Sequence, residues 1–461
     1  MQRLNRGMLS RYDIPEHIPT AINAVQLGLD ETLLGLVDRL LGPLGVGIAA
    51  IPLSAADRGQ DPAALLREQD GMYTVFVRGY QGEQPVNREE VVQSILRVAS
   101  PDEAEALAAE PALEFCLVDT DGDDLDAALA LAARLLEARR SAGLSGLSFL
   151  CLGEGDAVDE VVRRGIAERA PDLSGWLASQ CGFLPALADG IALRAEAKEA
   201  ARLCAEMNYA DGMIHLVEPG ATLTIEVPRG ERPIAAGEGI AIVDDLAPVL
   251  ARKRRLFDAG LFAMAAPGWL LGLNTLSDCM KHEALRAFVG QTYMRELLPA
   301  DAAERAVDAP CVIRAFERFE NPLNDNAILR AAHHLLRVFR RATLPLIRDW
   351  ADANFEPPRR LTFALAATIM LYAGARPNAD GQYEVQRGGE THRLTDDPDA
   401  LAVFATLSHD MPPEALAYAA LADRELWGSD LREIDGLEAR VALDIANLQR
   451  NPRYLPEADD A

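Results

Sequence analysis

Residues 21–35, AINAVQLGLDETLLG, decide the fold. Residues 21–27 form a short β-prone apolar run, Gly28 interrupts it, and Asp30 and Glu31 then stand where carboxylates favour the positive end of a helix. A strand that passes through a glycine turn into a helix is the opening half of a βαβ unit. The same alternation continues to about residue 240, with strands expected at 46–51, 73–77, 115–118 and 147–152. Residues 125–140 place leucines and alanines at helical spacing and collect arginines at the end favoured by the helix dipole, as a crossover helix would. The fold class is therefore α/β, with a mainly parallel sheet covered on both faces. Residues 221–227 (ATLTIEV) alternate apolar and polar side chains and run into Pro228, so they predict an exposed or edge strand.

The texture changes after the Gly-, Pro- and charge-rich stretch 228–239, which predicts a loop at a domain border. From about 250 to 455 the helical period dominates, at 283–298, 326–339, 360–372, 398–407 and 413–422. Two domains are expected, 18–240 and 241–455, the second all-α. The acidic tail PEADDA predicts a frayed end.

Composition narrows the function. The 461 residues are 49% hydrophobic and 25% charged, which excludes disordered, collagenous and disulfide-scaffold classes. Lys plus Arg is 45 against Asp plus Glu 71, so 45 − 71 = −26, a surface that repels nucleic-acid phosphates and anionic lipid. No nucleic-acid or membrane partner is expected. Cys116, Cys151, Cys181, Cys204, Cys279 and Cys311 stand singly, as reduced thiols acting as small buried hydrophobes. Arg3, Arg6 and Arg11 are not followed by the apolar core of a secretory signal. The longest apolar stretch, 361–375, is bracketed by Arg359, Arg360 and Arg376 and falls short of the roughly 20 residues that span a bilayer, so it predicts a buried helix. The expectation is a soluble cytoplasmic monomer or small oligomer.

Three constellations carry chemistry. Gly28 lies where a phosphate-binding turn would put a glycine, but Asp30 and Glu31 beside it would repel a diphosphate and suit an ordinary helix start better. Gly42, Gly45 and Gly47 have the wrong order for such a turn and predict a helix stop. In residues 244–261, DDLAPVLARKRRLFDAGL, Lys253 and Asp258 stand five apart; a lysine in an apolar cleft can serve as general base, whereas composition alone reads a solvated helix. His333 and His334 adjoin Arg337, Arg340 and Arg341, a basic face that suits an anionic ligand or plain surface charge. The seven histidines show no H-E-x-x-H spacing, and no metal is expected.

Four further segments, in order, carry a resemblance. They are Gln69-Asp70-Gly71-Met72-Tyr73-Thr74, Val243-Asp244-Asp245-Leu246-Ala247-Pro248, Arg318-Phe319-x-Asn321-Pro322, and Arg360-Leu361-Thr362-Phe363-Ala364-Leu365-Ala366-Ala367. Over about 20–440 the chain resembles the polyol and hexuronate dehydrogenases, which include mannitol dehydrogenases and the tagaturonate and fructuronate reductases. The resemblance implies a Rossmann-type N-terminal domain, a helical C-terminal domain, and a cleft where NAD meets an open-chain sugar or sugar acid. The family's K-x-x-x-x-N-x-x-H motif supplies a lysine base with Asn and His on the reacting oxygen; here it reads Lys253, Asp258, Leu261. An ionised Asp258 donates no hydrogen bond to a developing oxyanion and favours the charged form of Lys253, and Leu261 donates nothing.

The cofactor turns depart likewise. The family's FGxGNF reads Leu27-Gly28-Leu29-Asp30-Glu31-Thr32, and its NTTEAGI reads Asp119-Thr120-Asp121-Gly122-Asp123-Asp124-Leu125. A third turn reads Pro185 to Ile191 without the expected asparagine, and the substrate helix reads His334-Leu335-Leu336-Arg337-Val338, with Arg337 and Arg341 as basic substitutes. The resemblance thus marks Gly28, Asp30, Asp119 and Thr120 for the cofactor, Lys253 and Asp258 for catalysis, and Arg337 and Arg341 for substrate. Retained scaffold motifs beside altered site motifs predict a diverged, non-catalytic or weakly active binding or regulatory protein. The alternative is an active NAD(P)-dependent oxidoreductase of a polyol or aldonate, with Lys253 as base.

Overall fold

The computed structural model describes residues 1–456 apart from 13, 54–60, 83, 229–235, 323–326 and 332–333. The tail at 457–461, most of the loop at 228–239, residue 326 and His333 lie outside the described residues. Two compact units divide the chain, Met1–Leu250 and Ala251–Ala461.

The first unit is built on strands β1 (Ala24–Leu27), β2 (Ile48–Ile51), β3 (Tyr73–Gln81), β4 (Gln84–Val92), β5 (Ile95–Val98), β6 (Phe115–Asp119), β7 (Ser148–Leu152), β8 (Gly182–Asp189), β9 (Ala192–Arg194), β10 (His215–Val217), β11 (Thr222–Glu226) and β12 (Ile240–Val243). Its main sheet has eight strands in the order β12-β11-β8-β7-β6-β1-β2-β5. The six from β5 to β8 are all parallel. Numbered by their sequence within that set, they run 3-2-1-4-5-6, the doubly wound order of dinucleotide-binding sheets, and the order reverses between β1 and β6. Both faces are covered, because successive residues of each strand enter opposite cores. Ala24, Ile48, Ala50, Leu117 and Leu150 join one core, while Val25, Ala49, Cys116 and Phe149 join the other. Helices α1 (Leu125–Ser141) and α2 (Val158–Arg169) fill the second core; the helical turns that follow β1 and the four-stranded sheet β9-β10-β3-β4 fill the first.

Two strand expectations are corrected. Residues 73–77 are not in the parallel sheet: β3 pairs antiparallel with β4 and parallel with β10. A continuous apolar run shows burial on both faces and is silent about which sheet supplies it. Residues 221–227 are not an edge: β11 lies between β8 and β12, and Leu223, Thr224 and Ile225 are all buried. Its threonines simulate the alternation of a half-exposed strand.

The second unit is predominantly helical. Its core helix α3 (Arg359–Tyr372) is buried on nearly every side, matching the apolar stretch expected there. It also contains a three-stranded antiparallel sheet, β13 (Arg376–Pro377), β14 (Tyr383–Arg387) and β15 (Glu390–Arg393), so the unit is not purely α. Gly388 and Gly389, at φ 61° and 86°, make the two-residue turn between β14 and β15, which needs positive φ at both positions. The helix expected over 326–339 is interrupted: His334 is left-handed at φ 57° and separates Ile328–Ala331 from Leu335–Val338. Cys116, Cys151, Cys204 and Cys279 are buried as expected, but Cys181, at the C-terminal end of the helix Ser174–Gln180, and Cys311, within the helix Ala302–Glu320, are partly exposed. Among the described residues no helix is long and apolar enough to cross a membrane.

Candidate active site

In the first unit the reversal of strand order brings two turns side by side. Leu27 of β1 pairs with Val118 of β6, so Gly28 and Asp119 leave the same edge of the sheet next to each other. Gly28 has φ 118° and donates its N–H to Ile51 O at 2.9 Å, while the fully buried Gln26 donates Nε2 to Gly28 O at 3.1 Å. Asp30 then bends back over the glycine. Its Oδ1 accepts from Leu33 N at 2.8 Å, and its Oδ2 lies 3.3 Å from the point a Cβ on Gly28 would occupy. Burial raises the Asp30 carboxyl to about 6, against the N–H groups of Leu33, Asp30 and Thr32, which lower it, and with Glu31, which raises it. Beneath lies Asp38, fully buried and pushed well above the usual carboxylate range by that burial. The Tyr73 hydroxyl has one proton and gives it to Leu34 O at 2.6 Å; its 3.3 Å contact with Asp38 Oδ2 suits a neutral Asp38.

At the neighbouring turn Thr120 spends both donors on one acceptor, N and Oγ1 each reaching Leu152 O at 2.8 Å. A side chain at Gly153 would collide with that hydroxyl. Asp119 Oδ1 accepts from Asp121 N at 2.9 Å, and Asp121 Oδ2 from Glu154 N at 2.8 Å, so these carboxylates order their own loop. The four residues expected for a cofactor, Gly28, Asp30, Asp119 and Thr120, thus meet at one edge. The positive-φ glycine offers the cradle a dinucleotide needs, and Asp30 is the group lying in it.

In the second unit Lys253 and Asp258 form a buried pair. Nζ donates to Oδ1 at 2.8 Å, with the side chains 7% and 5% exposed. Residues five apart on an α-helix point about 140° away from each other. They meet here because Arg254–Asp258 is wound as a π-helix, whose wider turn brings i and i+5 onto one side. Two more π-wound stretches, Tyr293–Leu297 and Phe339–Thr343, pack against this one. Phe257 within the turn carries Lys253 Nζ 5.4 Å and Arg318 Cζ 4.2 Å from its ring centre, and it stacks with Phe319. The Tyr293 hydroxyl donates to Leu256 O, and Gly260 is small enough to admit that hydroxyl. Arg252 and Arg255 both reach Asp308. On composition a solvated helix was the plain reading of this segment; the buried pair replaces it.

Leu261 is buried in the apolar core and brings no polar group to the pair. Arg337 follows the His334 break, on a short helix whose Leu336 N–H is held by the buried Asp396 at 2.9 Å. Arg341 lies in the π-wound stretch that packs on the Lys253 turn, so the fold brings its backbone near the pair. The sequence reading missed Phe257, Tyr293 and Arg318 as parts of this cluster. Arg318-Phe319 was visible as a motif, but nothing in its spacing revealed the ring of Phe257 far upstream.

Comparison with known proteins yields one picture. Residues 245–449 match the family model of the mannitol dehydrogenase C-terminal domain. The altronate oxidoreductase of Shigella sonnei is 28% identical over 96% of this chain and 97% of its own, and that of Cronobacter sakazakii 29% identical over 82% and 84%. Among solved structures, Pseudomonas fluorescens mannitol 2-dehydrogenase, in ternary complex with NAD and D-mannitol, superposes with a TM-score of 0.77 at 16% identity, covering 98% of both chains. A D-sorbitol dehydrogenase in substrate-free form gives 0.69 at 16% identity, over 98% of this chain and 99% of the other.

Proposed function

We propose that this chain, whose residues 245–449 match the mannitol dehydrogenase C-terminal family model and which is similar over most of its length to altronate oxidoreductases, is an active NAD-linked oxidoreductase interconverting an aldonate of the altronate type with its keto acid. The non-catalytic reading drawn from the altered motifs is set aside. The observation that carries the proposal is the buried Lys253–Asp258 pair at the meeting of three π-wound turns, within the segment that matches the family model. Widened turns of this kind weaken regular helix bonding and are concentrated at functional sites. Relatives alike over nearly the whole chain are named as oxidoreductases, which supports activity over loss of it.

When bound, NAD accepts the hydride. Gly28, which has no side chain, would let its diphosphate approach the backbone, with Asp119 and Thr120 flanking that edge from the adjoining turn. Lys253 takes the proton from the substrate hydroxyl during oxidation and returns it during reduction. Asp258 works in its neutral form: when the pair is written as neutral amine and carboxylic acid, the amine is the base and the acid donates to the developing oxyanion. The pair has no net charge in either arrangement, so passing between them leaves no lone charge in the apolar surroundings. Arg337 and Arg341 are the groups proposed to meet the substrate carboxylate. The test is steady-state turnover with altronate and NAD, and with tagaturonate and NADH. Lys253→Ala should reduce it by at least a hundredfold without unfolding the protein, and a wild-type protein inert toward both aldonates and polyols would refute the proposal.

A further inference from the structure

The carboxyl group of Asp30 lies against the side-chain-free space at Gly28. In a sheet of this order the glycine after the first strand lacks a side chain so that phosphate can approach the backbone. Here the vacated space is filled from within, with Oδ1 on Leu33 N at 2.8 Å and Oδ2 3.3 Å from the missing Cβ. Under the turn lie the buried side chains of Gln26 and Asp38, so what faces Asp30 from below is an amide and a second carboxyl, not a cation. A diphosphate and an ionised Asp30 cannot share this turn at low cost.

We propose that Asp30 is an internal stand-in for the cofactor diphosphate, and that a dinucleotide binds the Gly28 turn with uptake of one proton by Asp30. The inference rests on the dinucleotide reading given above and adds the residue that sets its affinity. The charged and titratable groups facing the turn agree with it. Glu31 and Asp38 on the same helical stretch are acidic, and Glu31 Oε1 is engaged by Arg194 N of β9 at 3.0 Å. Tyr73 on β3 has its hydroxyl proton committed to Leu34 O, and Asp119 and Asp121 after β6 order their own loop. The raised carboxyl of Asp30, near 6, puts the change in the range where it can be measured.

The experiment is calorimetric titration of the full chain with NAD+ at pH 5.5 and pH 8.0, in two buffers of different ionisation heat. The diphosphate of NAD+ keeps its charge over that range, and a group titrating near 6 is protonated in only about one molecule in a hundred at pH 8, so affinity scales with the competent fraction. The wild type should bind at least tenfold tighter at pH 5.5 and take up a proton on binding at pH 8.0. Asp30→Asn should bind equally at both values, with the tight affinity. Asp30→Ser, which keeps an oxygen for Leu33 N, should do the same and guards against a misfolded amide variant. Wild-type affinity independent of pH, or pH dependence persisting in Asp30→Asn, overturns the proposal. Failure of all three proteins to bind NAD+ at pH 5.5 would instead remove the dinucleotide reading, and the inference with it.

Discussion

At the scale of single residues, the chemistry turns on what accepts the Lys253 ammonium. Removing one partner of a buried ion pair leaves the other charge uncompensated, at a cost of about 3 to 5 kcal/mol. Asp258→Ala should therefore lower stability by that order in urea unfolding and abolish turnover. Asp258→Asn keeps an acceptor for Nζ and supplies a permanent donor for the oxyanion, so it should stay folded and turn over at least as fast as the wild type near pH 7. Slower turnover in Asp258→Asn with intact folding would show that the carboxyl does more than stand in for an amide. Lys253 and Asp258 were legible as a spacing, but a spacing of five has no meaning on an ideal α-helix. The pair became readable only with the π-turn, which no composition rule announces.

At the scale of elements, the π-turn is held open by its neighbours. Tyr293 satisfies the Leu256 carbonyl, and Gly260 leaves room for the hydroxyl that does so. Gly260→Ala should force that hydroxyl away and cost about 1 to 3 kcal/mol through overpacking. It should also reduce kcat more than it raises KM, because the base is displaced while the substrate's other contacts remain. Equal KM and kcat effects, or unchanged kinetics, would argue that the turn does not position Lys253. Helix α1, with one buried face, was readable from its period, and α3 from its unbroken apolar length. The failures have local causes: β4 is rich in exposed polar residues, β11 hides burial behind threonines, and the β14–β15 hairpin was signalled only by Gly388-Gly389.

At the scale of the whole molecule, acidity couples to stability. Burial raises the carboxyls of Asp38, Asp211, Glu296, Asp396 and Asp444, the last to about 7. A carboxyl raised on folding binds more protons in the native state, so its contribution is complete below the unfolded value near 4 and is lost as pH rises through the folded value. For Asp444 that window runs from about pH 4 to 7. The charge of −26 adds self-repulsion at neutrality. Calorimetric melting should accordingly give a Tm several degrees higher at pH 5.5 than at pH 8, and Asp444→Asn should narrow the gap by raising the pH 8 value; a higher wild-type Tm at pH 8 would contradict this. By itself the order of residues determined the α/β half, the helical half and the family resemblance, because those depend on periodic burial and on motifs that survive as strings. The three-dimensional packing alone decided that Asp30 lies in the Gly28 cradle and that Lys253 faces Asp258, since both depend on backbone winding and on contacts between segments far apart in the chain.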